Sequence, residues 1–154
     1  MNQKHSLFDS FRFAFRGICY AVRRERNLRI HLVAAAYMLF LSRLYHLDSL
    51  RFLMVGAAIT MVLSLELVNT AIEKSVDIKA PEYHPLAGAA KDVAAAAVLV
   101  SAVFSVFAGF IIFWNPVILK GLLLTLLDSP LYAALFLLSV LVSLLFIRGG
   151  RPKR

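Results

Sequence analysis

Four polar side chains share one helical stripe within an otherwise apolar stretch. Glu66, Asn69, Glu73 and Asp77 are spaced i, i+3, i+7 and i+11 after the apolar residues 53 to 65. At about 100° per residue this spacing places them on one face, over about 16 Å of helix rise. A carboxylate in a membrane segment costs roughly 2.5 to 3.5 kcal/mol, which a simple anchor avoids. The stripe is therefore the first candidate for chemistry.

Two further acidic groups flank other apolar segments. Glu25 lies between two arginines, ahead of the first long apolar run. A third group precedes a later run and consists of Glu82, Tyr83, His84, Lys91 and Asp92. The alternation of apolar segments predicts that all three groups share one membrane level. At that level a water-soluble donor can meet a lipid headgroup.

These residue types suit phosphoryl transfer. Separated carboxylates such as Glu25 and Glu73 can hold Mg²⁺, which takes oxygen ligands and favours substrate phosphates over an all-protein cage. Transfer from ATP also needs a cation near the moving group, for which Lys91 is suited, and an aligned hydroxyl. Glu66, the deepest carboxylate, could take the proton from a lipid alcohol. Apart from Glu66, each residue could equally be a solvated helix end or a surface ion pair.

Composition defines the class of protein. The chain has 154 residues, 60% of them hydrophobic, and a formal net charge of +8, so an integral membrane protein is predicted. Its basic residues cluster at segment ends, which favours lipid headgroups over nucleic acid as their partners. Cys19 is the only cysteine, so no intrachain disulfide forms. Phosphate-binding loops and the common kinase and hydrolase motifs are absent from the sequence.

The periodicity predicts an all-α membrane fold. Apolar residues at helical spacing over residues 7 to 24 predict an amphipathic helix on the membrane surface. Residues 30 to 47, 52 to 72 and 93 to 114 are each long enough to cross the bilayer. Residues 117 to 127 predict a short interfacial helix, and residues 131 to 147 an extra membrane helix.

The distribution of Lys and Arg predicts the orientation. Residues 1 to 29 hold seven, residues 74 to 91 three and the tail after residue 147 four, whereas all other connections together hold three. Since cytoplasmic loops carry the excess of basic residues, both termini are expected in the cytoplasm. The three acidic groups then face the cytoplasm as well.

Three sequence blocks carry a family resemblance. ERNLRIH (25 to 31), ELVNTAIEKSVD (66 to 77) and EYHPLAGAAKD (82 to 92) resemble the small membrane lipid kinases of bacteria, the prokaryotic diacylglycerol kinase and undecaprenol kinase family. The resemblance covers roughly residues 7 to 115. It implies a surface helix and three transmembrane helices per chain, in a homotrimer with active sites between subunits. It also implies transfer of the γ-phosphate of MgATP to a lipid alcohol in the bacterial plasma membrane.

The resemblance also implies roles for single residues. Glu66 matches the general base, and Glu25 and Glu73 match the metal-binding glutamates. The positions that surround the nucleotide or support the site are Asn69, Asp77, Glu82, Tyr83, His84, Lys91 and Asp92. Ala95 stands where the diacylglycerol-preferring members have a serine, and Phe13 where some members have a tyrosine. Phe13 removes a hydroxyl near the nucleotide, and Ala95 removes one near the lipid site. Because of Ala95, and because ERNLRIH and YHPLAGAAKD look closer to the undecaprenol kinase branch, undecaprenol is the expected acceptor and diacylglycerol is the alternative.

The sequence predicts that the chain consists of two parts. Residues 1–115 are expected to form the lipid kinase domain, and residues 116–154 an extension without counterpart in the minimal family pattern. The extension contains no histidine, which argues against a fused phosphatase. A small ion-coupled transporter or a membrane scaffold is a more distant alternative, motivated by ionisable residues in a span. A transporter of that kind should show two related halves, and no such repeat is visible in the sequence.

Overall fold

A computed structural model describes residues 6–79, 82 and 84–150, and this part of the chain folds into helices joined by short connections. The helices are α1 (Leu7–Arg24), α2 (Arg26–Leu44), α3 (Ser49–Lys79), α4 (Pro85–Phe113), α5 (Pro116–Asp128) and α6 (Pro130–Arg148). The predicted all-α membrane fold is confirmed. It agrees in the number and order of its elements with the sequence pattern.

Helix α1 begins with a capping box. The Ser6 hydroxyl accepts from the Asp9 amide at 3.2 Å, and the Asp9 carboxylate accepts from the Ser6 amide at 3.2 Å. These reciprocal bonds satisfy amides that a helix start leaves unpaired. Phe8, Phe11 and Phe15 are exposed along one face of the helix. An exposed aromatic face flanked by arginines suits a helix in the membrane interface.

Three helices are long and apolar enough to cross a membrane, within the part of the chain that the structure describes. They are α3, α4 and α6. Helix α2 is not among them, because Arg29, His31 and Arg43 lower its mean hydropathy. Its crossing of the membrane stays a prediction. Helix α5 has 13 residues, which is short for a span, and its interfacial position also stays a prediction.

The helix boundaries differ from the predicted ones at the acidic end. Helix α3 continues to Lys79 and carries the whole polar stripe. Helix α4 begins at Pro85, eight residues before the predicted start of the span at Val93. Proline is favoured in the first turn because its fixed φ suits the helix and its missing amide is not needed there. Lys91 and Asp92 therefore lie on the second turn of a helix.

A tight turn sets α2 and α3 side by side. The Leu47 amide donates to the Ser42 carbonyl and the His46 amide to the Arg43 carbonyl, each at 3.2 Å. His46 has a φ of 46°, so the chain leaves α2 through a left-handed residue, as in a Schellman motif. The turn reverses the chain direction. It therefore returns the acidic end of α3 to the start of α2.

Packing is concentrated on α3. This helix packs along α4 and α2, and α1 rests on α2 and α3. Among the described residues, α6 contacts α2 and α5. The buried apolar side chains are few and mostly small, namely Ala21, Leu28, Ala35, Val55, Ala58, Val62, Ala94, Val98 and Ala108. Most large apolar side chains are exposed, which suits surfaces that face lipid or other subunits.

Candidate active site

Glu66 is the most deeply buried carboxylate among the described residues, with 3% of its surface exposed. It lies on α3, and its Oε1 is 3.2 Å from Nε2 of His31 on α2. A buried carboxylate is costly without a polar partner, and His31 supplies one. His31 is not among the site residues predicted from the sequence, although it is the last residue of the ERNLRIH block. Its only sequence signal was a polar residue early in an apolar run.

Two further carboxylates gather around Glu66. Glu25 and Glu73 both lie within electrostatic range of it. Glu25 is 8% exposed and occupies the junction at which α1 ends and α2 begins. Glu73 is half-buried two turns further along the stripe. The structure thus brings together the predicted base and both predicted metal ligands within one chain.

Asn69 orients one of these carboxylates. It is 8% exposed, and its Nδ2 donates to Glu73 Oε1 at 3.1 Å. This i, i+4 contact fixes Glu73 on the stripe. The Asn69 Oδ1 is buried and has no hydrogen-bond partner within the described chain. Asn69 thus holds the Glu73 carboxylate in place, and its Oδ1 is a further oxygen beside the stripe.

The charged residues nearer the helix ends are more exposed. Lys91 Nζ on α4 donates to Asp77 Oδ1 on α3, and Lys74 Nζ lies 3.8 Å from Asp77 Oδ2. Both lysines are thus held at the end of the stripe. Asp92 and Glu82 are exposed. The structure does not bring these two residues to Glu66.

The remaining predicted nucleotide residues lie before α4. His84 is exposed and is the N-cap of that helix, in an extended conformation. Tyr83 lies outside the described residues. The helix start at Pro85 leaves backbone amides without intrahelical partners, and such amides suit phosphate groups. The placement of His84 is compatible with its predicted role at the nucleotide.

The types of donor atom near Glu66 can be compared with those that Mg²⁺ prefers. Within the described chain, no three His, Cys, Asp or Glu side chains already form a metal cluster. The candidate donors near Glu66 are all oxygens, from Glu25, Glu73 and Asn69. Mg²⁺ prefers oxygen, keeps several waters and is often bound through one or two carboxylates together with substrate phosphates. The site therefore fits a magnesium ion that arrives with a nucleotide.

An apolar cavity of about 430 Å³ reaches His31, the residue that contacts Glu66. It lies between α2, α3 and α4, and small side chains make up most of its α4 wall. His31 lines one end, and Val62 and Leu63 line it one turn before Glu66. Phe113 lines the other end, where its ring packs edge-to-face with Tyr45 at 5.2 Å. The volume is in the range of small-ligand sites, about 300 to 1,000 Å³.

The structure is thus a membrane helix bundle in which an apolar cavity reaches His31, the histidine that contacts the buried Glu66. This arrangement suits an enzyme that acts on the polar group of a lipid. The sequence profile described as Prokaryotic diacylglycerol kinase matches residues 12–113. The chain therefore belongs to the prokaryotic diacylglycerol kinase family, and it is a lipid kinase. This confirms the resemblance and favours kinase chemistry over the transporter and scaffold alternatives.

Individual relatives agree with this assignment. The chain is 44% identical over 112 residues to the undecaprenol kinase of Bacillus subtilis, covering 73% of this chain and 91% of that protein. It is 39% identical over 105 residues to a diacylglycerol kinase of Synechocystis, covering 68% and 60%. The diacylglycerol kinase of Escherichia coli K12 is 29% identical over 103 residues, covering 67% and 84%. The family match ends at the last residue of α4.

Proposed function

We propose that this lipid kinase transfers the γ-phosphate of ATP, with Mg²⁺, to the hydroxyl of undecaprenol, forming undecaprenyl phosphate. The observation that carries the proposal is the buried Glu66, held by His31 at the end of an apolar cavity. The cavity provides a place for hydrocarbon, and the carboxylate provides a base for the hydroxyl at its end. Diacylglycerol, the acceptor named for several relatives, is the alternative.

The chain's residues divide the work of transfer. Glu66 accepts the hydroxyl proton as the lipid oxygen forms its bond to the γ-phosphorus and the bond from that phosphorus to the bridging oxygen of ADP breaks. His31 holds the Glu66 carboxylate in place. Glu25 and Glu73 would hold the metal, and Asn69 orients Glu73. Mg²⁺, when bound, neutralises charge on the phosphates.

Lys91 is suited to the phosphate end of the reaction. Its ammonium lies at the outer end of the stripe, where Asp77 holds it. A strongly hydrated point charge with three donors can bind phosphate oxygens without fixed geometry. His84, Glu82, Asp92 and Tyr83 are proposed to contact the nucleotide from the segment that begins α4. ATP therefore enters from the side of the membrane on which α3 ends.

The preference for undecaprenol has two supports. The relative with 44% identity is named for undecaprenol, whereas those with 39% and 29% identity are named for diacylglycerol. The cavity runs as one groove between three helices, which suits one hydrocarbon chain. A diacylglycerol carries two acyl chains at its polar end. The second chain would have to lie outside this groove.

Orientation and assembly belong to the same proposal. We place the enzyme in the bacterial plasma membrane with both termini in the cytoplasm, as a homotrimer. The last turn of α6 packs against the junction of α1 and α2, which supports placing both chain ends on one side. The basic residues concentrated at those ends support the cytoplasmic side. The trimer is supported by the family resemblance and by the exposed apolar helix faces.

The test compares acceptors directly. Purified full-length protein in mixed micelles with Mg²⁺ receives ATP labelled at the γ-phosphate and either undecaprenol or a diacylglycerol. Label in undecaprenyl phosphate, at a higher kcat/KM than in phosphatidic acid, is expected. A higher kcat/KM with diacylglycerol would show that diacylglycerol, and not undecaprenol, is the preferred acceptor. If the folded protein labels neither lipid, the proposed function is wrong.

A further inference from the structure

The C-terminal helix α6 lies outside the family match and rests on one helix of the matched part, α2. The contact contains polar groups. Tyr37 on α2 places its hydroxyl 3.0 Å from Ser139 Oγ and 3.3 Å from Ser143 Oγ. Hydrogen bonds in apolar surroundings fix the register of packed helices. Helix α6 is therefore docked in a defined position.

Arg29 makes the second polar contact between these helices. It is 6% exposed, and its Nε donates to the carbonyl of Ile147, in the last turn of α6, at 3.1 Å. Its Nη1 donates to the carbonyl of Val22, in the last turn of α1, at 2.9 Å. The last carbonyls of a helix lack intrahelical partners and carry partial negative charge. One buried guanidinium thus donates hydrogen bonds to the C-terminal turns of two helices, α1 and α6.

Gly150, which follows α6, lies next to the same guanidinium. Gly150 lies against Arg29 so tightly that a Cβ at this position would overlap the guanidinium. No side chain fits there unless Arg29 or the segment after α6 moves. A shift of the guanidinium would disturb one or both of its hydrogen bonds to the Ile147 and Val22 carbonyls. Gly150 therefore offers a way to loosen the contact without changing Arg29 itself.

The two helix ends that meet at Arg29 also define the position of Glu25. Glu25 lies one turn before Arg29 and is at once the C-cap of α1 and the N-cap of α2. Its amide donates to the Ala21 carbonyl at 2.7 Å, and its backbone is extended. Its position therefore depends on how α1 ends and α2 begins. Arg29 connects these two elements, and α6 holds Arg29 from the other side.

We propose that Arg29 is a positioning residue through which the docked α6 sets the place of Glu25 in the metal site. Helix α6 supplies no group to the reaction. It acts through the Ile147 carbonyl and Gly150 on Arg29, and through Arg29 on the α1–α2 junction. This inference rests on the proposed function, in which Glu25 holds the divalent ion.

The test measures metal affinity in the full-length protein. Mn²⁺, which takes the same oxygen ligands as Mg²⁺, is titrated by electron paramagnetic resonance in the presence of a non-hydrolysable ATP analogue. Gly150→Ala and Arg29→Lys are expected to raise the Kd of Mn²⁺ about tenfold, the low end for residues that support a metal ligand. The KM for lipid should stay unchanged, because the cavity lies elsewhere.

Controls separate this effect from others. Gly121→Ala, on α5, is the matched control, because a Cβ there meets nothing within 4 Å. If Gly150→Ala yields no folded protein, Tyr37→Phe is the second variant, because it removes the hydroxyl that contacts Ser139 and Ser143 on α6. This variant is also expected to raise the Kd of Mn²⁺. Folded variants that bind Mn²⁺ as tightly as Gly121→Ala overturn the positioning role. Failure of the wild-type protein to bind Mn²⁺ with the nucleotide analogue overturns the proposed metal site instead.

Discussion

Single residues explain why a membrane helix keeps its carboxylates. Glu66 is buried, and it is tolerated there because His31 faces it and Asn69 and Glu73 continue the polar stripe. The stripe itself was predictable from i, i+3 and i+7 spacing, since these positions share a face in any helix. His31 was not predictable in the same way. Its contact with Glu66 depends on how α2 and α3 pack, which spacing within one segment does not contain.

Glu66→Gln tests the base. The amide keeps the size and polarity of the side chain but cannot accept the hydroxyl proton, so kcat should fall by about 10² to 10⁴. Phosphoryl transfer to lipid in micelles measures this loss. Mn²⁺ affinity serves as the control and should remain near wild type. Turnover close to wild type would exclude Glu66 as the base.

His31→Gln tests the residue that faces Glu66. Glutamine can still donate one hydrogen bond, but it does so from a different position, so we expect a loss in kcat of about tenfold and a smaller loss than in Glu66→Gln. The KM for ATP should not change, because His31 lies at the lipid end of the site. Unchanged kcat in His31→Gln, with Glu66→Gln inactive, would show that Glu66 needs no histidine.

Helices as units explain how the acidic groups meet. Helix α4 begins at Pro85, earlier than its apolar residues indicate, because a helix can extend beyond its membrane segment when proline and polar residues form the first turns. Hydropathy marks the apolar length and not the helix length. The same holds for α3, which continues to Lys79. These extensions bring Lys91 to Asp77.

The cavity between α2, α3 and α4 provides a prediction at this scale. Ala102→Leu, on the cavity wall of α4, should fill part of the space and raise the KM for lipid about tenfold or more, as one or two extra carbons do in apolar pockets. The KM for ATP should stay constant. Ala96→Leu, at an exposed position of the same helix, is the control. Equal effects of both substitutions on the lipid KM would argue against the cavity as the lipid site.

The whole molecule was largely predictable in outline. Apolar segment lengths and the amphipathic period give the number and order of the helices, because membrane spans must satisfy their backbone internally. The position of α6 was not predictable. Its contacts with Tyr37 and Arg29 join residues about a hundred positions apart, and neither serine nor arginine in a helix indicates its partner. The division at residue 115 stays a prediction.

The orientation of the whole chain can be tested with introduced cysteines. In a Cys19→Ser background, Ser6→Cys before α1 should be protected in intact cells from a membrane-impermeant maleimide, whereas Ser49→Cys at the start of α3 should react. The expectation follows from the basic residues around α1. Labelling in lysed cells controls for accessibility. The reverse pattern would invert the proposed orientation.

The size of the cavity limits how much of the lipid tail the enzyme can contact. The cavity, with Phe113 at one end, has a volume of about 430 Å³, which is far smaller than a prenol of 55 carbons. Most of such a tail must leave sideways into the bilayer. The protein then contacts the isoprene units next to the hydroxyl, so its activity should not depend on the total tail length. Short and long prenols that share this head region should be phosphorylated with similar kcat.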